Sequence, residues 1–144
     1  MFAIFATTLL FSCKKNEEKK TEASIVGQWK ITARTSDKAI DWYGNGTLTN
    51  DLFSNERDCD KDDIFVFYAT GTYEGNEGPT KCGQSPQIHT QGNWSKSGNT
   101  LTLTVDGEVM NGSIIQLDDK VLKLTNSTDH FGTDYIATTT FQRQ

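Results

Sequence analysis

The chain is 144 residues long, with 14 basic and 19 acidic side chains and a formal net charge of −5. That length suits one domain, and the acidic balance argues against a nucleic-acid partner, which needs a basic face to neutralise phosphates. With 12 Gly, only 2 Pro, abundant Thr and no long apolar run at helical spacing, the composition leans towards β structure.

The first segment, MFAIFATTLLFS (residues 1–12), stops at Cys13 and a charged stretch, KKNEEKK. A membrane-crossing helix needs about 20 apolar residues, so this run is too short to span. A stretch ending in solvated charge is also a poor core element. It reads as the apolar region of a secretory leader. Leu10-Phe11-Ser12-Cys13 resembles the lipobox of bacterial lipoproteins. The resemblance implies removal of residues 1–12 and lipid attachment at Cys13. Residues 13–23 then form the lipidated Cys and a flexible charged tether, and residues 24–144 the folded domain. About ten tether residues reach on the order of 20 Å. The expected location is the cell envelope, lipid-anchored to the outer membrane. The domain would be periplasmic or surface-exposed: Glu17-Glu18 behind the Cys points to surface display, but four lysines dilute the pair.

With Cys13 assigned to the lipid, Cys59 and Cys82 remain as an even pair, which in an oxidising compartment normally forms a disulfide. A redox or metal pair is the alternative, but the two are far apart and no CxxC is present.

From Ser24 onward short alternating segments are separated by turn signals, the pattern of a barrel or sandwich. SIVGQWKITART places Ile25, Gly27, Trp29 and Ile31 on one parity. Residues 36–63 read as a long loop with at most one short helical turn. In IFVFYAT, Ile64, Val66 and Tyr68 share one face, and Phe65 and Phe67 the other. GTYEG follows, then a polar connection carrying Cys82, then a strand around HTQGNWS. TLTLTV gives the cleanest period-two signal, with Leu101, Leu103 and Val105 inward. Asp106-Gly107 and Asn111-Gly112 are both hairpin dipeptides, and the first is taken as the turn. SIIQL, VLKLTN and DYIATTTFQRQ complete about eight strands in meander order. The expected fold is all-β, an eight-stranded antiparallel up-and-down barrel, with a two-sheet β-sandwich as the competing architecture.

Gly27-Gln28-Trp29 on the first strand, with Arg143 near the end of the last, resembles the lipocalin signature. In that family the Trp closes the barrel floor and the basic side chain stacks over its ring. The order of Gly27-Gln28-Trp29-Lys30, Cys59-Asp60-Lys61-Asp62-Asp63 before IFVFYATGTY, Cys82, Gly92-Asn93-Trp94, LTLTV, SIIQL and VLKLT is similar to the lipocalin-like domain of small bacterial lipoproteins.

No catalytic constellation emerges. GxSxG, HExxH and a phosphate-binding glycine loop are all missing, so no catalytic residue, cofactor or metal is assigned. ERDCDKDD fails as an EF-hand loop started at Asp58, since its sixth and twelfth positions are Asp63 and Ala69. His89 and His130, the two histidines, have no metal-ligand spacing. Asn45, Asn93, Asn111 and Asn126 stand in glycosylation sequons, which matter only in a eukaryotic secretory path.

The expected function is therefore binding. A small apolar or amphipathic ligand would sit in the barrel mouth, lined by Val66, Tyr68, Tyr73, Leu103, Leu122, Leu124 and Tyr135. The alternative is a rigid platform without an internal ligand, whose long loop, carrying Trp42, Tyr43 and Phe53, engages a protein or glycan partner.

Overall fold

The computed structural model describes residues 23–144; the leader, the Cys13 lipidation position and the tether up to residue 22 lie outside the described residues. Nine strands follow one another: β1 (Gly27–Ile40), β2 (Thr49–Asp51), β3 (Ile64–Phe67), β4 (Thr72–Asn76), β5 (Ile88–Ser97), β6 (Thr100–Val105), β7 (Glu108–Leu117), β8 (Val121–His130) and β9 (Thr133–Arg143). From β3 to β9 each strand pairs antiparallel with the next, and β1 pairs with both β3 and β9. The result is a closed eight-stranded up-and-down barrel, not a sandwich, with β2 as an extra strand on β1. Closure removes the open edges that a flat meander would present.

β1 makes this geometry possible. Its first residues pair with β3, from Gly27 opposite Phe67 to Lys30 opposite Ile64. Beyond Lys30 it leaves β3 and continues along β9 to Ser36, past a bulge between Ile31 and Ala33. A bulge bends the strand and sharpens its twist, which opens a gap above the short β3. β2 and a single 3-10 turn at Phe53–Asn55 fill that gap, and the Leu52 N–H donates to the Arg34 carbonyl (2.9 Å). The expected long loop therefore contains the last part of β1, a strand and one helical turn. No α-helix is present among the described residues.

The hairpins follow backbone preferences. Asp106 and Gly107 both have positive φ (51° and 84°), as the tight turn between β6 and β7 requires; Asn111-Gly112 lies inside β7. The segment around His130 is strand up to that residue, with the turn at Phe131-Gly132 (φ 48° and 76°).

The main core fills the lower barrel: Ile25, Trp29, Phe67, Leu101, Ile114, Leu122 and Phe141 pack together. A second cluster of Ile40, Leu52, Tyr135 and Ala137, with Trp42 against it, lies under β2. One parity expectation is corrected here. Residues directly opposite on neighbouring strands share a face, and Phe65 and Phe67 stand opposite Trp29 and Gly27. They therefore point inward, and Val66 and Tyr68 take the outer parity.

Candidate ligand site in the barrel mouth

The closed end of the barrel is organised around one side-chain contact. Trp29 is 0% exposed, and its indole Nε1–H donates to the Ile25 carbonyl (2.7 Å). The Arg143 guanidinium lies 4.2 Å from the Trp29 ring centroid, a cation–π contact worth about 0.5–2 kcal/mol. The same guanidinium donates to the carbonyls of Val26 (2.8 Å), Ser24 (2.6 Å) and Asp119 (2.9 Å). Gly27 is required because its φ is +140° and a Cβ would lie 2.3 Å from Arg143 Nη1. This pins the last strand to the first and seals the floor.

Above the floor lies a cavity of about 550 Å³. Ile31, Phe65, Tyr73, Leu103, Leu124 and Phe141 supply apolar wall. Phe65 stacks on Tyr73 (centroids 6.2 Å apart) and meets Phe141 edge-on (6.0 Å). Burial pushes the Tyr73 phenol up to about 12, so it stays a neutral hydroxyl over the physiological range. Higher on the wall the lining is mixed, with Asn111, Asn126, Ser127 and Thr128 beside the exposed apolar side chains of Val109 and Met110. Arg34, opposite Thr139 of β9, also lines it and forms an ion pair with Glu56 from the segment after the 3-10 turn. Burial raises the Glu56 carboxyl above its usual range, and Arg34 opposes that shift. The cavity thus has an apolar interior and a mixed rim with polar groups and the Arg34–Glu56 pair, an arrangement that can hold an apolar body with a polar end.

The family model for the lipocalin-like domain matches residues 25–124. The chain belongs to the lipocalin-like domain family. Among curated proteins, no sequence matches the chain. The matched span contains Gly27 and Trp29 but ends before β9, and the stacking of Arg143 on Trp29 is the contact that the sequence resemblance implied.

The lipocalin-like barrel distributes the expected ligand residues over four places. Tyr73, Leu103 and Leu124 line the cavity. Leu122 is fully buried in the floor beneath it, and Tyr135 belongs to the second cluster. Val66 and Tyr68 are not on the cavity wall: Tyr68 is 40% exposed, and its hydroxyl donates to Glu74 (2.8 Å). Ile31, Arg34, Phe65 and Phe141 escaped sequence reasoning. Ile31 shares the parity of Trp29, a usable signal, whereas Arg34 is brought to the wall only by the bulge that follows Ile31.

The loops of this lipocalin-like domain are built as caps. Cys59 and Cys82 form the expected disulfide (Cα–Cα 5.3 Å), joining the approach to β3 to the β4–β5 connection. Trp42 stacks on His130 (4.4 Å, 10° between planes), and the His130 ring Nε2 lies 2.9 Å from the Trp42 carbonyl oxygen. Tyr43 donates to the Asn55 carbonyl (2.7 Å), and Phe53 packs against the main core. The Asp41 carboxylate accepts N–H bonds from Asn45 (2.9 Å) and Gly46 (2.7 Å). Gly46's bond leads the effects that hold its carboxyl below the usual range.

Proposed function

We propose that this protein is a lipid-anchored envelope lipoprotein whose barrel carries a small apolar or amphipathic ligand in its mouth. The observation that carries this reading is the cavity of about 550 Å³ with an apolar wall and a mixed rim that includes polar groups. Such a volume is within the roughly 300–1,000 Å³ of ordinary small-molecule sites. The anchor rests on Leu10-Phe11-Ser12-Cys13 and the charged tether behind it. Tethered to the outer membrane, the barrel would exchange a ligand with the bilayer or the surrounding fluid, with no chemistry of its own.

A second reading has its own support. Phe131, on the β8–β9 turn, is 81% exposed and packs on His130 (4.4 Å), which in turn stacks on Trp42. Aromatic groups presented in this way suit a protein or glycan partner, and the barrel would then be a platform.

Native mass spectrometry of the Cys13→Ser chain, after exposure to a lipid and metabolite extract, separates the two. A discrete added mass that competes away supports the ligand reading and names the ligand class. Consistent absence of added mass, with the Cys59–Cys82 bridge intact, favours the platform. For the anchor, radiolabelled palmitate should enter the native chain and not the Cys13→Ser chain; labelling of neither would overturn lipidation.

A further inference from the structure

At the flank of the mouth, the ends of β3, β4 and β5 bring together Asp63, Glu77 and His89. Ile64 pairs with Asn76, so Asp63 and Glu77 stand one step beyond that pair. The register between β4 and β5 shifts here: Gly75 pairs with Thr90 and Asn76 with Ile88. His89 is thus the extra residue of a β-bulge, a device that re-aims a side chain. Its ring turns over Gly75, where a Cβ would lie 2.9 Å from the imidazole Cε1, and meets Phe65 edge-on at 6.5 Å. A glycine at position 75 leaves the room that the imidazole occupies.

The three donor atoms lie within 4.8 Å of one another. Two of them touch each other, and further contacts hold all three. His89 Nε2 is 3.1 Å from Asp63 Oδ2, while its Nδ1 is 3.0 Å from the Thr90 hydroxyl, the kind of outer partner that fixes the ring of a metal-bound His. Asp63 Oδ1 accepts the Gly78 N–H (3.3 Å), and Glu77 Oε2 accepts the Cys82 N–H (2.9 Å). The last of these bonds comes from the disulfide-tied loop.

The basic side chain at this corner is His89, in contact with Asp63 (3.1 Å), so two carboxylates share one imidazole. Asp63 is 7% exposed and Glu77 6%. Among the described residues neither carboxylate has a Lys or Arg partner, and the nearby Arg57 is taken by a two-bond ion pair with Asp60 (2.6 and 2.8 Å). Beside Asp63, Asp62 accepts the Thr80 N–H through Oδ2 (2.9 Å), while its Oδ1 is buried without a hydrogen-bond partner against Gly78, whose N–H donates to Asp63. Buried carboxylates are normally paired or bound to a metal.

We propose that Asp63, Glu77 and His89 form a binding site for a divalent first-row transition ion, with zinc the best match. One imidazole nitrogen and two carboxylate oxygens suit zinc, with a fourth position left open. Calcium, which takes 6–8 oxygen ligands, is poorly served by this set. The bound ion would clamp three strand ends at the mouth, whatever the barrel carries.

The test is isothermal titration of zinc chloride into the full chain carrying Cys13→Ser, with the Cys59–Cys82 bridge oxidised so that no thiol competes. The expected result is one saturable equivalent and a zinc-dependent rise in the melting midpoint. Glu77→Gln keeps an acceptor for the Cys82 N–H, and His89→Gln removes the imidazole. Each should weaken zinc binding by at least about tenfold while retaining a cooperative melt without zinc. No saturable uptake, or uptake that both variants leave unchanged, would overturn the proposal.

Discussion

Gly27 shows how much one hydrogen atom can decide. At its positive φ any side chain would be strained, and a Cβ 2.3 Å from Arg143 Nη1 would push the guanidinium off its place. Gly27→Ala should cost about 2 kcal/mol or more in denaturant unfolding, from backbone strain together with displacement of the guanidinium. A change in Trp29 fluorescence should accompany it, because the ring loses its cation. Tyr73 offers a pH readout. Its phenol titrates near 10 when unfolded and near 12 when buried, so the native state holds the proton longer. Its contribution is fully present below pH 10 and is lost as pH rises to about 12, amounting to roughly 2–3 kcal/mol. In urea melts across that range, Tyr73→Phe should flatten the alkaline fall in stability. An unchanged slope would assign the fall to other groups. Gly27 and Trp29 were legible as a motif. The inward aim of Phe65 was not, because both faces of IFVF are apolar and period two cannot say which is inside.

At the scale of elements, the disulfide and β1 carry the mouth. Cys59 and Cys82 close a loop with a sequence separation of 23, which in the chain-entropy view stabilises the fold by about 3 kcal/mol. The Cys59→Ser, Cys82→Ser double variant should lose that amount in chemical denaturation. Hydrogen exchange should show the first loosening in residues 56–63 and 77–87, with β6 to β9 still protected. Uniform loosening of the whole barrel would contradict this division. The pairing of the cysteines followed from their number and the expected export context. The length of β1 did not, since its second half is polar at Thr35, Ser36, Asp37 and Lys38 and looks like loop until β9 and β2 are placed beside it.

For the whole molecule, the question is whether the 550 Å³ cavity is used. Gly112 lines it, and a Cβ there would come no closer than 3.6 Å to any atom. Gly112→Leu should therefore project into the space without a clash. The expected outcome is at least tenfold weaker uptake of whichever ligand the native chain retains, with a melting midpoint unchanged or raised, because a glycine leaves a strand interior. Retained binding at full affinity would place the ligand elsewhere. The meander of about eight strands was readable from strand spacing and the family from GxW with the motifs that follow it, whereas barrel against sandwich was decided by the pairing of β1 with β9. The cavity was not, because an inward-facing Leu in a filled barrel and one in a hollow barrel follow the same pattern.

Taken by itself, the sequence determined the local and chemical facts: β structure from alternation, turns from Asp-Gly and similar pairs, the floor from Gly27 and Trp29, and an even pair of cysteines available for a bridge. These depend on neighbours along the chain or on intrinsic residue chemistry. Tertiary structure decided what depends on register between distant strands. Two bulges, after Ile31 and at His89, brought Arg34 to the cavity wall and the imidazole to Asp63 and Glu77. A one-residue change of register reverses which face a side chain takes, and no spacing within a single strand records where its partner has slipped.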